Sequence, residues 1–128
     1  MTLDVFLESA GDFERDEAEA ALARYGVAAD STVATADGGD ASVTVDDDGC
    51  VFVVKSLTRE LAQVLFDVAR DADLAILPAD GTPIALVVGD AEVDDELEPV
   101  YVDTPAELYE ALRESIARKE EARGAHQA

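Results

Sequence analysis

The spacing of apolar positions changes several times along this chain of 128 residues, and each change marks the border of a predicted element. Residues 3–7 form a short, mostly apolar run that predicts a first strand. Ala18 and Leu22 follow at helical spacing, and Asp12 is a suitable N-cap for the helix that they indicate. Residues 31–37 predict a second strand, which ends at a cluster of turn residues.

The clearest pattern in the chain is a β-hairpin. Residues 42–45 alternate polar and apolar side chains, which favours a strand with one solvated face. Gly49 belongs to the turn that follows, and residues 50–54 return as a continuous apolar run. Such a run predicts a central strand that is covered on both faces.

A second helix follows this hairpin, and Ser56 is its predicted N-cap. Leu61 and Leu65 belong to its broad apolar stripe, which ends near residue 72. Residues 74–77 and 84–88 are again short apolar runs, and each is typical of a buried strand.

The last part of the chain begins with an acidic connection, residues 90–98. Residues 100–102 predict a short final strand. Thr104, Pro105 and Glu107 then indicate the start of a third helix, because they supply a cap, a first-turn proline and a capping box.

The resulting order is β-α-β-β-β-α-β-β-β-α, which predicts an α+β fold: a single-domain two-layer sandwich with a mixed or antiparallel sheet and three helices. Its first part fits a ferredoxin-like βαββαβ arrangement, extended by another hairpin and a C-terminal helix. The central strands need cover on both faces, or helices on one side and a partner on the other. We expect residues 1–124 to form the domain and residues 125–128 to be a frayed tail.

Composition narrows the class of protein. Hydrophobic residues make up 48% of the chain, enough for a core that needs no disulfide or metal. Cys50 is the only cysteine, which excludes an intrachain disulfide. With no basic, apolar leader and no apolar run near ~18 residues, we expect a cytoplasmic protein without a membrane span.

Charge is the strongest compositional signal. Thirty acidic residues outnumber nine basic ones, which gives a formal net charge of −21. The acids are spread along the whole chain between well-patterned apolar positions, unlike those of an acidic disordered segment. In this composition the chain resembles small acidic proteins of haloarchaea, and the resemblance implies adaptation to concentrated salt without implying a function.

The same charge limits the partners. Phosphate contacts need clustered Lys and Arg, so we expect no binding of nucleic acid. Monovalent cations should gather diffusely around the carboxylates. Mimicry of nucleic acid by the acidic surface gains no extra support, since salt adaptation already explains the dispersed carboxylates.

The sequence shows no residue set that predicts catalysis or a cofactor. The only histidine, His126, lies in the predicted tail and cannot hold the fixed geometry of a general base. Asp46 and Asp47 would raise the pKa of the Cys50 thiol, which favours a small buried side chain over a nucleophile. The run before Gly49 has two acids at calcium-loop spacing, but the first and last ligands of such a loop are missing.

Two candidate binding sites remain. The first is an anion site formed by Lys55, Ser56, Thr58 and Arg59, which lie where a strand leads into a helix N-terminus. Because no glycine-rich loop precedes this helix, the alternative is a helix cap with solvated charges.

The second candidate is a divalent-cation site in the acidic connection, formed by Asp90, Glu92, Asp94 and Asp95. Its alternative is a solvated loop that attracts K⁺ or Na⁺ without a fixed geometry.

The leading functional hypothesis is a non-catalytic protein-interaction or regulatory module, whose partner could be a second copy of the chain. It rests on the contrast between an apolar sheet and the scarcity of catalytic residue types. The alternative is a small-molecule or anion-binding domain, or a minimal enzyme, at the start of the second helix. A concave pocket at that position would favour the alternative.

We expect the protein to lose structure when salt is removed, because at ~1 M salt the screening length falls to ~3 Å and the repulsion among its carboxylates is suppressed. Circular dichroism during thermal unfolding, in roughly 0.05 M and roughly 3 M potassium chloride, measures the difference. Equal melting temperatures in the two solutions would contradict salt adaptation.

Overall fold

The computed structural model describes residues 2–9, 11, 13–28, 30–47, 49–89, 91 and 93–125. Within these ranges it contains seven strands and three helices in the predicted order. The elements are β1 (Leu3–Glu8), α1 (Arg15–Ala23), β2 (Ser31–Ala34), β3 (Asp40–Val45), β4 (Gly49–Ser56), α2 (Arg59–Asp71), β5 (Ala75–Pro78), β6 (Ile84–Val87), β7 (Glu98–Tyr101) and α3 (Pro105–Ala125).

The strands form one open sheet in the order β2-β3-β4-β1-β5-β6-β7. All neighbours are antiparallel except β6 and β7, which are parallel. Together with α1 and α2, the four strands β3-β4-β1-β5 have the order of a βαββαβ unit, and β2, β6 and β7 extend that sheet at its two edges. The predicted α+β class is therefore confirmed.

The main core lies on one face of the sheet, which we call the helix face. Alternate strand positions point to it, including Leu3, Val5 and Leu7 of β1 and Phe52 and Val54 of β4. These side chains belong to one buried cluster with apolar residues of all three helices. The three helices therefore share one side of the sheet.

The opposite face, which we call the open face, carries no helix among the described residues. Its positions on β4 are Val51 and Val53, and both are only half-buried. The expectation that residues 50–54 form a strand covered on both faces is therefore wrong. In sequence, a strand of apolar residues gives the same pattern whether its second face is covered by the chain or is exposed to solvent.

The acidic connection covers part of the open face. Ala75 and Val87 point to this face and are nevertheless buried. Val93 and Leu97 border a narrow cleft together with Ala75 and Leu77. Apolar side chains within an otherwise acidic segment therefore shield β5 and β6, while β1 and β4 remain open.

Element ends follow local hydrogen bonding. β2 stops at Ala34, earlier than predicted, because the carbonyl of Thr35 accepts a hydrogen bond from the N–H of Gly38 at 3.1 Å and closes a turn. The predicted start of α3 is confirmed, since the N–H of Glu107 donates to Thr104 Oγ1 at 3.2 Å. The predicted cap of α1, Asp12, lies outside the described residues.

The C-terminal border stays a prediction. α3 continues to Ala125, one residue into the expected tail, and residues 126–128 lie outside the described ranges.

Within the described ranges, no helix combines the length and the apolar character that a bilayer crossing requires.

Asp80, in the turn between β5 and β6, connects α3 to the sheet. Its fully buried carboxylate accepts hydrogen bonds from Ser115 Oγ and Arg118 Nη2, each at 2.7 Å. Burial by itself would raise the pKa of Asp80, but hydrogen bonds from Thr82, Ser115 and Arg118 outweigh it and lower the pKa to about 2. A charged, fully bonded carboxylate thus fixes the position of the helix.

Candidate functional site

The sheet separates the residues of the predicted anion site. Lys55 alternates with buried Val54 along β4, so it lies on the open face, where it is exposed. Ser56 is the last residue of β4. Thr58 and Arg59 follow at the start of α2, on the helix face. The structure therefore brings Thr58 and Arg59 together and places Lys55 on the other side.

Thr58 is the N-cap of α2. Its backbone is extended, with φ −133° and ψ 171°, and its Oγ1 accepts the N–H of Leu61 at 3.2 Å. The expectation that Ser56 caps this helix is wrong, because the chain is still in the strand at that point. Sequence alone offered two hydroxyl residues here, and the length of the strand decided between them.

A second segment also binds the start of α2. Asp37, in the turn after β2, accepts the N–H of Glu60 at 3.2 Å, and Glu60 accepts the N–H of Asp37 at 3.3 Å. This exchange has the reciprocity of a capping box, although its halves come from two segments of the chain. Hydrogen bonds from the hydroxyls of Thr35 and Thr58 lower the pKa of Asp37 to about 2.

Asp37 therefore supplies the negative charge that a helix N-terminus favours. The N–H groups of Glu60 and Leu61 already donate to Asp37 and Thr58. An external anion at this point would have to compete with a carboxylate of the chain itself. Among the four predicted residues, Arg59 is left as the charged donor on the helix face.

Gly39 makes this approach of the turn possible. A Cβ atom at this position would collide with the hydroxyl oxygens of both Thr35 and Thr58. The N–H of Gly39 instead donates to Thr35 Oγ1 at 2.8 Å. The glycine is thus required by close contact and not by a left-handed backbone.

Beside this junction lies an open cleft of about 550 Å³, which we call the α2 cleft. It lies between the end of α1, β2 with its following turn, and the first two turns of α2. Its apolar wall consists of Val27, Val33, Ala34, Ala36 and Val64.

The polar side of the α2 cleft includes Tyr25 and Gln63, and both are held by Asp67. The Tyr25 hydroxyl and Gln63 Nε2, the latter at 3.1 Å, donate to the two oxygens of this buried carboxylate. Arg70 Nη2 lies 3.3 Å from the same carboxylate. Burial and the hydrogen bond to Asp67 raise the pKa of Tyr25 to about 12, so its hydroxyl remains a neutral donor.

Arg59 lies at the border of the α2 cleft and is exposed. Its Cζ atom is 5.0 Å from the centroid of the Tyr109 ring on α3, a cation–π contact that restricts the guanidinium. The ion pairs formed within the described part of the chain do not include Arg59. Its N–H groups can therefore bind an anion that enters the cleft.

The predicted cation site is only partly described. Asp90 and Glu92 lie outside the described residues, and Asp94 and Asp95 are exposed. Where the structure describes the chain, no three His, Cys, Asp or Glu side chains converge as a metal site would require.

The other residues considered for chemistry lie away from the α2 cleft. Cys50 is buried on β4, and burial together with the charge of Asp46 raises its pKa to about 12. Asp46 and Gly49 close the predicted hairpin, the N–H of Asp46 donating to the carbonyl of Gly49 at 2.8 Å. His126 lies outside the described residues.

Sequence reasoning missed the α2 cleft because its walls come from three separate segments. No local motif contains Tyr25, Val33 and Gln63. One available signal was the spacing of Arg59 and Gln63, which places both on the same side of α2.

Comparison with protein-family models, with curated proteins and with solved structures finds no match to this chain.

The two hydroxyls near the start of α2 can be distinguished by substitution. Thr58→Ala should lower the free energy of unfolding by about 1 kcal/mol, because it removes the N-cap acceptor. Ser56→Ala, the matched control, should change it by less than about 0.5 kcal/mol. Urea unfolding at high potassium chloride measures both, and a larger loss in Ser56→Ala would contradict the assignment of the cap.

Proposed function

We propose that the protein is a non-catalytic binding domain whose α2 cleft takes a small molecule with an apolar body and one carboxylate. The observation that carries this proposal is the position of Arg59. Its guanidinium borders an apolar wall, is held by Tyr109 and is outside the ion pairs of the described residues. An apolar surface with one fixed cation is complementary to an amphipathic anion.

The size of the α2 cleft supports a small ligand. Its volume of about 550 Å³ falls within the range of roughly 300–1,000 Å³ that is usual for small-molecule sites. Val33 and Val64 are buried beneath the cleft, Ala34 and Ala36 are its exposed apolar groups, and the Tyr25 hydroxyl and Gln63 amide offer polar contacts fixed by Asp67. Fixed polar groups in an apolar cleft give orientation without loss of side-chain freedom on binding.

The charges around the cleft support a ligand with a single negative charge. Arg59 is the only cation among the described residues on its border, while Glu60 lies beside it and Asp37 binds the same helix end. A polyanion such as a nucleotide or nucleic acid would be repelled by these carboxylates and by the formal charge of −21. One carboxylate on the ligand can pair with Arg59 and keep its distance from both acids.

The chemistry of the potential nucleophiles supports binding without catalysis. A thiol is nucleophilic only as a thiolate, and the pKa of Cys50 is raised to about 12. The pKa of the Tyr25 hydroxyl, which lies at the cleft, is also raised to about 12. Both groups are therefore protonated near neutral pH.

Salt adaptation is part of the same proposal. We attribute the dispersed carboxylates to a salt-rich cytoplasm and not to the ligand, because most acids are exposed and remote from the α2 cleft. At such salt concentrations a carboxylate ligand would approach a protein of charge −21 without strong long-range repulsion.

A second candidate function is binding of a protein partner through the open face. The specific observation in its favour is a pair of central strands, β1 and β4, whose apolar side chains on this face have no cover among the described residues. The two functions use opposite sides of the sheet, so they are compatible.

Octanoate is a suitable probe for the α2 cleft, since it combines one carboxylate with a short apolar chain. Arg59→Gln should weaken its binding about tenfold, the equivalent of ~1.4 kcal/mol for a lost charge-assisted hydrogen bond. Calorimetric titration at roughly 1 M potassium chloride, where the long-range repulsion between octanoate and the acidic protein is screened, measures the dissociation constants.

Lys55→Gln is the matched control, because it removes the same charge on the open face. We expect wild-type affinity in this variant. Uncharged octanamide should bind wild type and Arg59→Gln with similar affinity. Equal weakening of octanoate binding by both substitutions would contradict the proposed site, and so would the absence of binding at millimolar octanoate.

A further inference from the structure

The α2 cleft has a second polar end, remote from Arg59. Arg59, Gln63 and Asp67 recur at every fourth position of α2, so they lie on one side of the helix. Asp67, which holds Tyr25, is about 12 Å from Arg59 along the helix axis. Gln63 Nε2 donates to Asp67, so the amide is directed away from Arg59. We call the Tyr25 hydroxyl and the Gln63 amide the tyrosine end of the cleft.

Asp67 determines which atoms the tyrosine end offers to a ligand. A carboxylate accepts hydrogen bonds and does not donate them, so the O–H of Tyr25 and one N–H of Gln63 point to it. The lone pairs of Tyr25 Oη remain, together with Gln63 Oε1 and the second N–H of Gln63. The pKa of Tyr25, raised to about 12, keeps its proton in the bond to Asp67 near neutral pH.

These remaining atoms are accessible. Neither Tyr25 Oη nor Gln63 Oε1 accepts a hydrogen bond from the part of the chain that the structure describes. No buried side-chain oxygen or nitrogen in that part lacks a partner, so Gln63 Oε1 is not buried. Tyr25 is 40% exposed and borders the cleft. Because the proton of Tyr25 is already donated to Asp67, a ligand group that binds Tyr25 Oη must supply a proton of its own.

The charges behind the tyrosine end cancel one another. Asp67 pairs with Arg70, which also contacts Asp71, and Asp71 in turn pairs with Arg24. Two carboxylates thus face two guanidinium groups. An ammonium group on a ligand would find no unpaired charge to offset the loss of its hydration. A neutral donor is therefore the better match.

We infer that the ligand of the α2 cleft is a hydroxy acid whose hydroxyl lies at the opposite end of the apolar body from its carboxylate. The carboxylate pairs with Arg59, and the hydroxyl donates to Tyr25 Oη and accepts the second N–H of Gln63. A hydroxyl fits because it both donates and accepts, whereas a carbonyl would leave Tyr25 Oη without a partner. This inference rests on the proposed function of the cleft and specifies its ligand.

Octanoate and ω-hydroxyoctanoate differ only in the hydroxyl, and calorimetric titration of the full chain at roughly 1 M potassium chloride compares them. The hydroxy acid should bind about fivefold more tightly, the equivalent of ~1 kcal/mol for one hydrogen bond. ω-Methoxyoctanoate keeps the oxygen but lacks the proton, so it should bind no more tightly than octanoate. An unpaired hydroxyl would instead weaken binding, because it loses its hydration. Equal or weaker binding of the hydroxy acid overturns the inference.

Tyr25→Phe tests where the hydroxyl binds. It removes the acceptor, so the advantage of ω-hydroxyoctanoate over octanoate should fall below about twofold. Tyr101→Phe is the matched control, since it removes a tyrosine hydroxyl from the exposed strand β7. This variant should keep the full advantage, and circular dichroism checks that both variants fold. An undiminished advantage in folded Tyr25→Phe overturns the placement at the tyrosine end.

The comparison of ligands on wild type separates this inference from the proposed function. If octanoate binds and the hydroxyl adds nothing, the inference is wrong and the proposed carboxylate site stands. If octanoate itself does not bind at millimolar concentration, both are wrong. The wild-type titrations decide this without a variant, so they remain decisive if Tyr25→Phe does not fold.

Discussion

Packing of three helices against a single face of a seven-stranded sheet determines where the other features of this molecule can lie. All the large core residues of β1 and β4, such as Leu7 and Phe52, point toward the helices. The α2 cleft forms on that side, where helices meet a strand edge and leave a gap. The open face forms on the other side, where Phe6 and Val51 lack cover from a helix. Both proposed binding surfaces follow from this one-sided packing.

The start of α2 shows how the chain uses its own carboxylates. Asp37 occupies the place where a helix would attract a free anion, and Glu60 returns the hydrogen bond. This contact fixes the turn after β2 and thereby one wall of the α2 cleft. Arg59, one position into the helix, keeps its charge available because it packs on an aromatic ring and not on an acid. In a chain so rich in carboxylates, that free guanidinium is the reason for proposing a ligand with one negative charge.

The order of elements could be predicted from sequence because it depends on local spacing and turn residues. The hairpin at Gly49 and the capping box at Thr104 are examples in which nearby residues suffice. Less of the predicted anion site could be obtained from sequence. Lys55 and Arg59 lie on opposite sides of the sheet, and this depends on the residue at which β4 ends. Asp37 and Glu60 are too far apart in sequence for any local pattern to join them. Whether an apolar strand such as residues 50–54 is covered twice depends on distant segments.

The reactivity of single thiols tests one-sided packing most directly. Cys50 is buried on the helix face, and Val53→Cys would place a thiol on the open face of the same strand. In a Cys50→Ala background and in dilute protein, where copies are separate, we expect the Val53→Cys thiol to be alkylated rapidly under native conditions. Native Cys50 should react only after unfolding. Equal protection of the two thiols would contradict the account, because it would mean that both faces of the sheet are covered within one chain.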